Sequence, residues 1–120
     1  MGDISINAKI FPYRFKITDR GAAELSIDIE NNSANEKKLS LSIALPDAVS
    51  FDKIGTNSKI MKQFEEFKPN HKMTVRFPVY LSARARVGSF DGTIKVQEHL
   101  HEFGYVSHSY TKGLAIRIVD

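Results

Sequence analysis

"AAELSIDIENNSANEKKLSLSIALP", residues 22–46, alternates apolar and polar side chains twice, with a turn-rich break between the two runs. The first run sets Ala23, Leu25, Ile27 and Ile29 on one face, against Glu24, Ser26, Asp28 and Glu30 on the other. The second sets Leu39, Leu41, Ile43 and Leu45 on one face. Successive side chains of a strand leave opposite faces, so period two with one dry side reads as two half-buried β-strands. Asn31, Asn32, Ser33 and Asn35 supply the turn chemistry between them.

The same pattern continues outward. MTVRFPVYL points Met73, Val75, Phe77, Val79 and Leu81 inward; DGTIKVQEHL points Ile94, Val96 and Leu100 inward; GLAIRIVD points Leu114, Ile116 and Ile118 inward. Each run is bounded by Gly, Pro, Asn, Asp or Ser. Near the N-terminus the apolar set changes parity. Ile4, Ile6, Ala8 and Ile10 are even, whereas Phe11, Tyr13, Phe15 and Ile17 are odd, and Pro12 stands at the switch. Proline cannot donate to a strand neighbour, so the first strand is expected to kink there and cross between sheets. SKIMKQFEEF, residues 58–67, has mixed periodicity: Ile60, Phe64 and Phe67 suit a short helical turn, and a buried strand with a loop suits them equally. About seven short strands with little helix imply an all-β, antiparallel, immunoglobulin-like sandwich with at most one short helical turn. Residues 1–120 read as one domain of this kind.

Composition narrows the function. The chain has 120 residues, 42% of them hydrophobic and 26% charged, as an ordinary globular domain has. It has no cysteine, which removes disulfides, thiolate zinc sites and cysteine nucleophiles. No apolar run approaches the roughly 20 residues of a membrane-spanning helix. MGDISINAKIF lacks the basic start and apolar core of a signal peptide. Gly2 lacks the Ser or Thr at position six that myristoylation wants, where Ile6 stands. The expectation is therefore a cytoplasmic protein if the sequence is complete, or an extracellular one if it is a domain excised from a longer chain.

The order of the strand-end motifs resembles a known family. It runs Asn31 and Asn32, then Leu45 and Pro46, then Pro69, then Gly88 with Phe90. Across residues 20–97 this succession resembles the immunoglobulin-like domains related to the cell-adhesion-related domain of bacteria and archaea. It is also similar to the sandwich domain associated with some bacterial glycosidases. The resemblance implies a non-catalytic module that packs against or adheres to other molecules.

Three of the four histidines fall in EHLHEFGYVSHSY, residues 98–110. A two-residue turn at Phe103 and Gly104 sets His99 opposite His108 and His101 opposite Val106. Keeping Ile94 opposite Leu114 then requires one extra residue in the returning strand, for which Gly113 is a natural place. A three-residue loop, 103–105, satisfies the same constraint and opposes His101 to Ser107. In the bulged register His99, His101 and His108 share one face, and close neutral imidazoles bind zinc, nickel or copper. Alternation produces His-x-His pairs by accident, and only Glu102 offers a carboxylate beside them, so exposed histidines on a projecting hairpin are the expectation. No strained nucleophile turn, phosphate-cradling glycine loop or apposed carboxylate pair is present, and no cofactor is implied.

Lys53, Lys59, Lys62, Lys68 and Lys72, then Arg76, Arg84 and Arg86, form a basic stretch that could track phosphates. Asp52, Glu65 and Glu66 interrupt it, and lysines on outward strand positions also protect sheet edges. Tyr80, Phe103, Tyr105 and Tyr110 are either aromatic anchors or packing across neighbouring strands. The sequence thus points to an interaction module with a protein partner rather than nucleic acid. Its candidate contact residues are His99, His101, Phe103, Tyr105, His108 and Tyr110, joined by Arg84 and Arg86 if the 83–86 loop lies at the same end. Edge strands would also let two copies pair. The alternatives are a metal protein or metal-dependent enzyme using His99, His101 and His108, and an anionic-surface binder using the lysines.

Overall fold

The computed structural model describes residues 3–12, 14–18, 21–100 and 102–120. In chain order its strands are β1 (Ile4–Phe11), β2 (Arg14–Lys16), β3 (Ala23–Asn31), β4 (Lys37–Ala44), β5 (Val49–Ser50), β6 (Lys59–Phe67), β7 (Lys72–Leu81), β8 (Gly88–His99) and β9 (Val106–Val119). They form two sheets, ordered β1-β3-β7-β5 and β2-β9-β8-β4-β6. All pairings are antiparallel except β2 on β9. The fold is the immunoglobulin-like sandwich expected, with nine strands among the described residues rather than about seven. None of the described residues is helical, and no helix is long and apolar enough to cross a membrane.

The core lies between the sheets and is built by the alternation read from the sequence. Leu25, Ile27 and Ile29 of β3 face Leu39, Leu41 and Ile43 of β4, with Ile94, Val96, Ile116 and Ile118, all essentially inaccessible. Burying each such side chain stabilises by roughly 1.5–3 kcal/mol, so these strands fix the sandwich. Pro78 is tolerated in β7 because β5 covers that side only at Tyr80 and Leu81, leaving the rest an edge. Gly92 is a packing requirement: a Cβ there would stand 3.0 Å from the carbonyl oxygen of Ala44.

The chain does cross from one sheet to the other at Pro12. β1 pairs with β3, and β2 pairs with β9 in the opposite sheet. Phe15 is buried, but Phe11 is 74% exposed, because β1 keeps its even parity through Phe11 opposite Glu24 and switches only afterwards. Tyr13 lies outside the described residues.

SKIMKQFEEF is a strand, not a helical turn. Leu39 pairs with Phe64 and Lys37 with Phe67, so β6 carries one residue more than β4 over this interval. That bulge shifts the inward set from Ile60 and Phe64 to Phe67, producing the three- and four-residue spacings that imitate a helix.

Candidate functional site

The last hairpin, β8 to β9, is the longest feature of the sandwich, and its two faces differ. β8 and β9 pair Gly92 with Leu114, Ile94 with Lys112, Val96 with Tyr110 and Glu98 with His108; then His99 pairs with Val106. The extra residue is Ser107, not Gly113, and Ile94 does not face Leu114. Ser107 donates its hydroxyl to the carbonyl of Glu98 at 3.2 Å, which anchors the bulge.

On the inner face, Glu98 is 3% exposed and ion-pairs with Lys37 at 2.9 Å. Lys37 also reaches Asp3, just before β1, at 3.2 Å. The Tyr110 hydroxyl donates to the second carboxylate oxygen of Glu98. A buried carboxylate is tolerable when each oxygen has a partner, and here both do. The Glu98 hydrogen bond, assisted by Asp3 and opposed by burial, holds the Lys37 ammonium above its usual range. Burial first and then Glu98 push the Tyr110 phenol up. Tyr110 is thus a packing residue that closes the end of the core.

On the outer face, His99 is 7% exposed and shares a 2.8 Å hydrogen bond between its Nε2 and the Ser40 hydroxyl. Its Nδ1 is buried without a partner. Phe103 folds back against the imidazole edge-on, with ring centroids 5.1 Å apart, and the Lys38 ammonium stands 5.1 Å from the Phe103 centroid. These contacts pin the tip of the hairpin onto its own sheet. The turn is closed by Leu100 N–H to the Tyr105 carbonyl at 3.3 Å and Tyr105 N–H to the Glu102 carbonyl at 3.0 Å. Exposed at the tip, beside the charged Glu102, is an apolar set: Leu100 is 68%, Tyr105 65% and Val106 48% exposed. Leu100, expected inward, falls one residue beyond β8, where strand alternation no longer directs it.

This register does not assemble the three-histidine face. Glu98 is the partner of His108, so His99, the next residue, belongs to the opposite face. His108 is exposed, its Nδ1 3.3 Å from the Ser107 hydroxyl. His101 lies outside the described residues. Among the described residues no group of three or more His, Cys, Asp or Glu is arranged to hold a metal ion.

Arg84 and Arg86 are not at this end either. They precede Gly88 at the start of β8, and the twelve residues of β8 span about 36 Å before the hairpin tip. Arg86 pairs with Asp47 at 3.4 Å and lies over the Phe90 ring at 4.6 Å, a local clasp. The basic stretch is likewise dispersed. Lys72 meets Asp28 at 3.9 Å, Arg76 meets Glu24 at 3.0 Å, and Lys62 sits 5.6 Å from the Phe77 ring centroid.

One feature escaped the alternation altogether. β2 covers β9 only at Arg117, Ile118 and Val119, so among the described residues 106–116 has no strand on that side. β1 borders the same opening from the other sheet. Between them lies a cleft of about 550 Å³ lined by Ala8, Ile10, Phe11, Gly113, Leu114 and Ala115, with Lys9 at its rim.

No family model and no curated protein sequence matches the chain. Solved structures do share its fold. The major pilin subunit of Bacillus cereus superimposes with a TM-score of 0.68 at 11% identity, covering 97% of this chain and 40% of that one. The C-terminal part of alpha-2-macroglobulin from Escherichia coli gives 0.59 at 18% identity, covering 96% and 16%. The alkylpurine DNA glycosylase AlkC of Pseudomonas fluorescens gives 0.50 at 13% identity, covering 97% and 30%. The chain therefore spans less than half of each of these proteins. At such identities the likeness concerns the fold, an immunoglobulin-like sandwich. These likenesses support the sandwich fold and not the finer resemblance to the adhesion-related and glycosidase-associated families, for which no family model matches.

Proposed function

We propose that this domain is a non-catalytic interaction module whose protein partner docks on the tip of the last hairpin. The observation that carries this reading is the apolar tip itself. Leu100, Tyr105 and Val106 are held in solvent by a turn that Phe103, His99 and Lys38 pin in place. An exposed aromatic-aliphatic cluster is the kind of anchor that dominates protein interfaces. The polar groups beneath it, Glu98, Lys37 and Tyr110, are occupied with one another and support the tip. Among proteins with this fold, a pilin subunit takes part in assembly by its very name, and assembly contacts of that broad kind suit an apolar tip.

The test is a quantitative capture from the source cell's lysate with immobilised domain. A variant carrying Leu100→Ser, Tyr105→Ser and Val106→Thr, shown by its melting profile to be folded, runs beside it. A protein retained by the parent and lost by the variant supports the reading. Identical capture by both refutes it.

A further inference from the structure

The opening between β1 and β9 is a second surface, and its chemistry selects a partner. Residues 106–116 present an unpaired row of backbone donors and acceptors among the described residues. Such an edge accepts an added strand, with backbone hydrogen bonds giving affinity and side-chain pockets giving choice. Alternate residues of an added strand would enter the apolar cleft of Ala8, Ile10 and Leu114. Gly113 leaves open space beside it, since a Cβ there would meet nothing within 4 Å.

The charge carried by the strands that border the opening is of one sign, and Asp3, just before β1 and near the Tyr110 phenol, is paired with Lys37. Within their spans β1, β2 and β9 carry Lys9, Arg14, Lys16, Lys112 and Arg117, and neither aspartate nor glutamate. Arg14 and Arg117 are register partners at one end of the opening. Lys112 reaches into it and donates to the Ile6 carbonyl of β1 at 3.3 Å. An incoming carboxylate would offer that ammonium a stronger, charge-assisted acceptor than a neutral carbonyl. Of the acids on adjoining strands, Glu24 is turned to Arg76, Asp28 to Lys72 and Glu98 to Lys37, while Glu30 is the register partner of Ser5 near the far end of β1. Asp91, the register partner of Ala115, is the other acid of β8. A second copy is disfavoured, because antiparallel pairing of two 106–116 edges would bring the Lys112 ammonium groups of the two copies close together.

We infer that the β1–β9 opening receives an extended, acidic segment of a partner protein, added as a strand along residues 106–116. This rests on the interaction-module reading and gives that module a second surface with a stated ligand chemistry. The probe is a fluorescent peptide of about ten residues, alternating Glu with Val or Thr, matched by one with Lys for every Glu. The acidic peptide should bind the intact domain about tenfold or more tightly than its basic twin, and less so as salt screens the charges. Its binding should slow hydrogen exchange at amides 106–116. The Lys9→Glu, Lys112→Glu variant should reverse the preference, a result that mere loss of folding cannot produce. Equal binding of the two peptides, a preference that survives the reversal, protection elsewhere, or displacement of the peptide by a short oligothymidine would each overturn the inference. The tip variant should bind the acidic peptide like the parent, so failure of the tip and failure of this edge are read separately.

Discussion

Glu98 and His99, adjacent in the chain, serve opposite faces of one sheet. Glu98 is bound between the sheets by Lys37 at 2.9 Å, while His99 is bound on the outside by Ser40 at 2.8 Å. One residue closes the end of the core and the next fastens the hairpin tip. The projecting hairpin therefore has a rooted base and a presented apolar end.

Removing one side of the buried pair should be costly. Glu98→Ala leaves Lys37 with Asp3 alone and deprives the Tyr110 hydroxyl of its acceptor, for an expected loss of about 3 kcal/mol. A double replacement, Lys37→Met with Glu98→Leu, should cost less than the two single replacements summed. Denaturant titration of the four proteins checks both statements.

Alkaline pH should weaken this end of the sandwich. Lys37 and Tyr110 both hold their protons to higher pH in the folded chain than their ordinary values of 10.5 and 10.0. The unfolded chain thus loses these protons first, and stability falls as pH rises through and beyond that range. Their contribution is complete below the ordinary values. Tyr110→Phe should make the alkaline loss shallower, and phenolate absorbance should show one tyrosine titrating late.

Acid should act elsewhere, at the loop after β5. The Asp52 carboxylate accepts the Thr56 hydroxyl at 2.7 Å and the N–H groups of Gly55, Thr56 and Asn57 at 3.0–3.1 Å. The Thr56 hydroxyl, then the Asn57 and other amides, hold it down at about 2, from an ordinary 3.8. Because the folded value is depressed, its stabilisation is present above the ordinary value and is lost as pH falls toward 2. Amide shifts of Gly55, Thr56 and Asn57 should follow that titration, and Asp52→Asn should abolish it.

Asn31, fully buried at the end of β3, should tolerate no substitution. Its amide nitrogen donates toward the carbonyls of Asn35, Phe67 and Lys68 at 2.8, 3.1 and 3.2 Å, and its oxygen accepts from Ser33. Asn31→Ala should cost about 2–3 kcal/mol by stranding these groups. Asn31→Asp should cost more, since it turns an anion toward three carbonyl oxygens. Thermal melts of the two variants rank them.

The strands were legible because one face of each is dry, and alternation over Leu25–Ile29, Leu39–Ile43 or Leu114–Ile118 admits no other period. Bulges were not. One extra residue in β6 turned strand spacing into helix spacing, and one at Ser107 instead of Gly113 separated His99 from His108. Alternation looks the same on either side of a bulge, so it cannot say where pairing slips. The sequence placed Phe103 and Tyr105 at the hairpin tip but did not reveal the exposure of Leu100 and Val106, since exposure beyond a strand end leaves no periodic trace. The β1–β9 opening was also missed, although a strand-by-strand tally of charge would have marked it: no acid falls within β1, β2 or β9.

The most direct test of the hairpin tip as a contact surface is photo-crosslinking in the source cell, with benzoylphenylalanine placed at Tyr105 or at Ile54. Both positions are exposed, at 65% and 81%, and Ile54 belongs to the other end of the sandwich, where its neighbour Gly55 approaches Ser82 and Ala83. The account predicts a discrete crosslinked product from position 105 and none from position 54. A product from position 54 alone, or none from 105 while the domain is captured in a complex, would contradict it.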